Sequence, residues 1–514
     1  MTTLLRIAAA SGFVGLLCAA HASNVLSDNL TSCNELAATF HKNQTTVTSA
    51  TEVAAAGALP AYCDVRGLIG DAPVAGKGIR FAVWLPVEAS WNGRLYMVGG
   101  GGYAGTLSLG AMNAGLAQGY ATATTDTGHE AAVFPLATFA LNDRQSEMDY
   151  SYRAVNETVI TAKELIEAHY GKKSKYNYWV GCSTGGRQGL MEAQRFPKDF
   201  DGLIVGAPVL EFTDTQIGGL WNAKSLTGAG AIPASKLPLL AAAELARCDV
   251  SDGLVDGQIT DPRLCDFKPQ VDLPACVNDV DGAACFTSAQ REAVAKVYDG
   301  PRTSSGFRIF PGYAVGTAVL GPASGWIPWF VNPSGAPSLL EIFGATFMQN
   351  MAFTPDPGPS YDWRTQFDFD RDPFRMHSIR SILDADDANL KQFERRGGKI
   401  IQYHGWADAA LTPYMSINYY ERVLREMGRG DTKDFYKLYM VPAMFHCAGG
   451  PGPNTFDVFN PLVNWVEHGI EPDEIIARNA TSGRTRPLCP YPQIATYRGG
   501  NPEVASSFAC EVPH

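Results

Sequence analysis

No two cysteines in this chain are spaced as Cys-x-x-Cys, which removes the usual signature of zinc ribbons and of thioredoxin-like redox chemistry. No Gly-Lys-Ser/Thr follows its glycine-rich stretch at Gly99-Gly100-Gly101-Gly102, so that stretch is not a phosphate loop. Basic residues are in the minority: 41 Lys and Arg against 52 Asp and Glu leave a formal net charge of −11. A nucleic-acid partner would want a basic face, so that class is disfavoured. Past the N-terminal segment no apolar run approaches the roughly 20 residues a membrane span needs. Internal repeats and low-complexity linkers are also lacking, which argues against propellers and solenoids. What remains is an ordinary globular composition, 46% hydrophobic and 18% charged over 514 residues. That length allows one large domain with a big insertion, or two or three domains.

Residues 1–22 read as a signal peptide. Arg6 supplies the positive region, Ile7 to Leu17 the apolar core, and Ala20-His21-Ala22 a small-x-small cleavage site. The mature chain is therefore expected to be secreted or periplasmic, with no membrane span. Eleven cysteines become ten once Cys18 leaves, and an even number in an oxidising compartment implies a disulfide framework.

The richest stretch is Tyr178-Trp179-Val180-Gly181-Cys182-Ser183-Thr184-Gly185-Gly186. A short apolar run ends in Gly-x-Ser-x-Gly and passes into a helix-compatible segment, the pattern of a nucleophile elbow. A sharp strand-to-helix turn holds Ser183 in a strained conformation, and Gly181 and Gly185 leave room for it. Thr184 N–H then points at the oxygen of an attacked carbonyl. Gly101, with Gly102 as the neighbour it could be confused with, stands where a second oxyanion N–H is expected. Downstream, Lys399 to Asp408 reads as a strand ending in a loop with an aspartate, and Phe435 to Val441 as a strand leading to Phe445-His446-Cys447. The chain order Ser183, Asp408, His446 is that of α/β-hydrolases. Asp457 is a weaker acid candidate because it follows the histidine. Asp126 and His129 precede the serine and read as braces for nearby loops.

Cys-Ser early and His-Cys late form a paired arrangement: a bridge between Cys182 and Cys447 would set Ser183 and His446 side by side. In this the chain resembles the tannase and feruloyl esterase family, which includes bacterial hydrolases of terephthalate monoesters. The resemblance covers nearly the whole mature chain and implies esters of galloyl, feruloyl or terephthaloyl kind. Sequence alone does not fix disulfide connectivity. Proximity suggests Cys33–Cys63, Cys248–Cys265, Cys276–Cys285 and Cys489–Cys510, leaving Cys182–Cys447, and the resemblance implies the same set. It also implies that His404 borders the substrate pocket.

The βαβ rhythm predicts an α/β-hydrolase core over residues 23–209 and 398–514, with residues 23–75 as an N-terminal cap region and residues 210–397 inserted as a lid domain. Within the lid, Cys248 to Gln258 carries three aspartates among turn residues, a loop that can wrap a hard cation. It is not an EF-hand, since the twelfth position from Asp249 is Thr260. The resemblance makes it a structural calcium loop, with side chains of Asp249, Asp252 and Asp256 and carbonyls of Leu254 and Gln258 as ligands. Trp326, Trp329, Phe330 and the segment Phe347 to Phe353 are candidate pocket walls; we single out Trp329 and Phe353. The segment from Phe347 to Phe353 offers no Arg or Lys for a free carboxylate. The expected function is hydrolysis of small-molecule aromatic esters by a Ser183–His446–Asp408 triad. Two alternatives are a general aliphatic carboxylesterase and a catalytically silent binding protein of the same fold.

Overall fold

The computed structural model describes residues 31–42, 44–70, 77–131, 136–319 and 325–513. The signal-peptide reading and Cys18 lie outside them. Nine strands form the central sheet: β1 (Thr45–Val53), β2 (Tyr62–Ile69), β3 (Ile79–Pro86), β4 (Arg94–Val98), β5 (Ala121–Thr125), β6 (Tyr176–Cys182), β7 (Gly202–Gly206), β8 (Lys399–Gly405) and β9 (Tyr436–Val441). Their order is β1-β2-β3-β5-β4-β6-β7-β8-β9. Strands β4 to β9 run parallel, and β1, β2 and β3 are antiparallel additions at one edge. Helices on both faces cover the parallel part, and β5 and β7 are buried along their whole length. This is the α/β-hydrolase fold.

The residues expected to form an N-terminal cap instead lengthen the sheet. β2 alternates half-buried and buried positions along its whole length, as a strand of an antiparallel sheet with one wetter face does. Cys33, on the helix Cys33–Thr39, is bridged to Cys63 of β2. The helix Ala154–Tyr170 turns its apolar stripe onto the sheet and stops at Gly171, whose φ of 67° suits a residue without a Cβ.

Between β7 and β8 the chain is helical, and none of its described residues adds a strand to the sheet. This inserted region has an apolar cluster of its own around Leu240, Phe286, Val294, Trp326 and Phe330. Its helices Phe212–Ser225 and Leu339–Asn350 pack on each other above the carboxyl ends of the strands. After β9, the helix Phe459–His468 begins where Asp457 accepts from the N–H groups of Phe459 and Asn460, which gives Asp457 a capping role. Four of the five disulfides join the pairs that proximity suggested, and the fifth joins the remaining Cys182 and Cys447. No helix among the described residues is long and apolar enough to cross a membrane.

Candidate active site

β6 ends at Cys182 and the next helix starts at Thr184, so Ser183 alone makes the turn. Its backbone sits at φ 63°, ψ −123°, a conformation that costs a residue with a side chain about 1–3 kcal/mol. Its neighbours explain why glycine flanks it. A Cβ on Gly181 would lie 2.4 Å from the Gly185 carbonyl carbon, and one on Gly99 would lie 2.6 Å from Gly185 Cα. Strand, turn, helix and glycine-rich loop meet at a single point with no room for side chains. The Trp179 indole N–H donates to the Gly185 carbonyl at 2.9 Å and fastens the helix start to β6.

The loop after β4 is held from several sides. Gly102 carbonyl accepts from Thr184 Oγ1 at 2.6 Å and from Tyr150 Oη at 2.8 Å. Gly100 N–H donates to Gln188 Oε1 at 3.1 Å. Gly101 N–H and Gly102 N–H donate to no described residue, and both glycines line the same cavity as Ser183 and Thr184. Thr184 is the first residue of its helix, where backbone N–H groups have no partner within the helix. Unpaired donors from two elements thus face one space, the arrangement that binds a developing oxyanion.

Asp408 follows β8 and is fully buried. Its Oδ1 accepts from Ala410 and Leu411 N–H at 2.8 and 2.9 Å. Its Oδ2 accepts from His446 Nδ1 at 2.7 Å. Burial pushes its carboxyl upward, but the His446 charge and hydrogen bonds from His404 and His446 outweigh that and hold it below the ordinary aspartate value. With its proton on Nδ1, His446 turns Nε2 to the cavity. The Trp329 ring meets the imidazole edge-on at 5.7 Å between centroids. The Cys182–Cys447 disulfide, with 5.9 Å between Cα atoms, ties the residue before Ser183 to the residue after His446. The Ser183 hydroxyl makes no hydrogen bond to a described residue; such contacts commonly tighten when substrate arrives.

The cavity holds about 440 Å³. Ser183, Thr184, Gly101, Gly102 and His446 line it from one side, and Phe212, Gln216, Trp329, Leu340 and Phe343 from the lid. Two expectations are corrected. His404 does not border the cavity: it is fully buried behind Asp408. Its Nε2–H reaches Leu411 carbonyl at 3.1 Å and Asp408 Oδ2 at 3.2 Å, and Nδ1 accepts from Ser416 Oγ at 2.7 Å. Phe353 is also elsewhere, packed against Tyr361 and under the Arg375 guanidinium. The aromatic wall comes from Phe343, one turn earlier than the segment singled out, and from Phe212. Gln216, unremarked in the sequence, is the lid's one buried amide in the wall. Asp126 and His129 stay outside the cavity: Asp126 pairs with Arg80 at 3.1 Å, and His129 stacks on Phe139.

The acidic lid loop has an all-oxygen donor set, which suits a hard cation. Its carboxylates are nevertheless occupied. Asp249 accepts from Gly257 N–H at 2.9 Å and Asp256 N–H at 3.1 Å, and Asp252 from Leu254 N–H at 3.0 Å. Asp256 is paired with Arg486 at 2.5 Å and with Arg484 at 3.5 Å. Among the described residues no three His, Cys, Asp or Glu side chains converge as a metal site. The geometry is that of a self-satisfied loop whose charge two arginines offset.

Sheet order, elbow and lid define an α/β-hydrolase with an inserted helical domain. Residues 63–511 match the family model "Tannase and feruloyl esterase". An uncharacterized esterase of Xanthomonas campestris is 35% identical over 99% of this chain and 95% of its own length. The mono(2-hydroxyethyl) terephthalate hydrolase of Piscinibacter sakaiensis is 34% identical over 90% of this chain and 87% of its own. The crystal structure of feruloyl esterase B from Aspergillus oryzae superposes with a TM-score of 0.83 at 24% identity, covering 93% of this chain and 99% of that one, a likeness of fold. The chain belongs to the tannase and feruloyl esterase family and is a carboxylic ester hydrolase.

Proposed function

We propose that this enzyme hydrolyses aromatic carboxylic esters through an acyl-enzyme on Ser183. The observation that carries the reading is the strained Ser183, at an apolar cavity, beside a histidine whose far nitrogen is held by a buried carboxylate. Ser183 Oγ attacks the ester carbonyl carbon and passes its proton to His446 Nε2. Negative charge gathers on the carbonyl oxygen, which Thr184 and Gly101 N–H groups receive. The carbon–oxygen bond to the alcohol breaks, and the alcohol leaves with the proton from His446. Water then attacks the acyl carbon, giving its proton to Nε2. Release of the acid returns that proton to Ser183. Asp408 keeps the imidazole in the tautomer that makes this cycle possible.

Rings at Phe212, Phe343 and Trp329 support an aromatic acyl group. The test is a panel of methyl gallate, methyl ferulate, mono(2-hydroxyethyl) terephthalate and p-nitrophenyl butyrate. An aromatic preference is expected, with Ser183→Ala losing about 10⁴-fold or more in kcat/KM. A preference for butyrate would overturn the aromatic reading, and turnover by Ser183→Ala equal to wild type would overturn the nucleophile. Five disulfides and the signal-like N-terminal segment support export; its check is the mature N-terminus, expected at Ser23. A calcium ion in the Asp249–Gln258 loop is supported by spacing and family resemblance, against the Asp256–arginine pairing. Calcium should raise the melting temperature relative to a chelator, and equal melting would remove it.

A further inference from the structure

The cavity's acyl wall carries no charge. Phe212, Leu340 and Phe343 come from two lid helices, and Val209 and Leu411 from the core. Apart from His446, no charged or titratable side chain among the described residues lines it. The internal stretches 71–76, 132–135 and 320–324, outside the described residues, contain no Lys or Arg either. Arg187, on the Ser183 helix, is buried and turned away: it donates to the carbonyls of Ser151, Leu383 and Tyr150 at 2.9, 3.0 and 3.2 Å. An acyl group bearing its own carboxylate would lose its water here and find no cation, a heavy cost.

On the lid wall one described polar side chain is left over. Gln216 lies one turn beyond Phe212 on the same helix face, is 4% exposed, and lines the cavity. Its carboxamide makes no hydrogen bond to any described residue. Its neighbour Thr215 differs, since that hydroxyl donates to Glu211 carbonyl at 2.8 Å. Its amide atoms open onto the cavity rather than being sealed in protein, so water serves them until a ligand of matching polarity displaces it. A carboxamide both donates and accepts, which suits a neutral hydroxyl or ether oxygen.

We infer that Gln216 is the specificity residue of the acyl subsite, hydrogen-bonding a neutral oxygen substituent on the ring, while the cation-free wall around it makes the enzyme select uncharged acyl groups over anionic ones. This rests on the aromatic-ester reading of the Ser183 site. Two matched pairs test it: methyl 4-hydroxycinnamate against methyl cinnamate, and dimethyl terephthalate against its monomethyl ester, which is ionised at neutral pH. The wild type is expected to favour the hydroxycinnamate by about tenfold, the scale of one neutral hydrogen bond, and the diester by more than that, because the monoester would bury an unpaired charge. Gln216→Met, of equal length, should bring the cinnamate ratio to near unity while leaving the terephthalate ratio in place. Gln216→Leu repeats the test should the first variant unfold early. A cinnamate ratio unchanged in both variants, or equal turnover of the mono- and diester by the wild type, overturns the inference and leaves the esterase reading standing. No wild-type turnover of any of the four sinks both together.

Discussion

The cavity has one wall from the sheet and one from the lid, and they hold their polar groups in opposite ways. On the sheet side the groups that position the catalytic atoms are tied: Gly102 carbonyl by two hydroxyls, Asp408 by two N–H groups and two imidazoles, His446 by Asp408 and an adjoining disulfide. On the lid side the wall is aromatic and aliphatic, with a single free carboxamide. Two buried carboxyls, one from each region, show how far surroundings can move the same group. Asp408 is held low because imidazoles face it. Glu244 in the lid is raised to about 8, chiefly by burial, with hydrogen bonds from Tyr298 and from Gly316 N–H as its compensation. Bond making needs fixed groups, whereas choosing among acyl groups needs shape and one adaptable contact.

Cutting the Cys182–Cys447 bridge is the hardest blow to this contrast. The chain-entropy model assigns so long a loop about 5 kcal/mol, an upper figure if the reduced unfolded state retains structure. Replacing both cysteines with serine should lower stability by several kcal/mol, read by denaturant unfolding. It should also lower kcat more than it raises KM, because Ser183 and His446 lose their shared tether. Full kcat in a destabilised variant would mean that the sheet wall holds its geometry without covalent help.

A smaller effect concerns the lid alone. Glu244 has a folded-state pKa above its unfolded value of about 4.3. Its contribution is fully present below that value and is lost as pH rises toward and through about 8. Asp408 is the opposite case, with stabilisation present above the unfolded value and lost as acid titrates the folded group. Raising the pH from 5 to 9 should therefore cost a few kcal/mol through Glu244. Glu244→Gln should flatten that slope, measured as melting temperature against pH. An unaltered slope would show that Glu244 is not the group responsible.

These contrasts track what the sequence makes legible. The elbow is readable because its requirement is backbone space: a Cβ at 181 would collide with Gly185 at 2.4 Å and one at 185 would press on the Gly100 carbonyl at 3.1 Å, and the pattern announces itself. Ser183, Asp408 and His446 follow from chain order, with Cys182 and Cys447 marking which histidine. The lid is harder because a helix shows one face to the cavity and another to its neighbours, and composition does not say which. Phe343 and Phe347 sit four residues apart on one helix, yet Phe343 lines the cavity while Phe347 is fully buried against Phe212. Phe353 falls past the helix end and packs elsewhere. Gln216 gives no signal at all in sequence, since a lone glutamine in a helix is usually solvated. The N-terminal strands were hidden by a Thr- and Ala-rich composition, and only pairing with β3 gives them their place.

His404 separates the two walls most finely. A residue touching the acyl group would change KM when replaced; one that braces the acid would change kcat. The geometry gives His404 the second role, since its Nε2–H supports the Asp408 oxygen that also holds His446. Hydrogen bonds to charged groups contribute about 1.5–3 kcal/mol, so His404→Phe should lower kcat by about tenfold or more with KM nearly constant. His404→Gln keeps an N–H donor and a carbonyl acceptor on a side chain of similar reach, and should recover part of the loss. The two variants together distinguish bracing from packing: loss of shape alone would leave glutamine no better than phenylalanine. A raised KM with intact kcat would instead put His404 in contact with substrate and move the boundary between the walls.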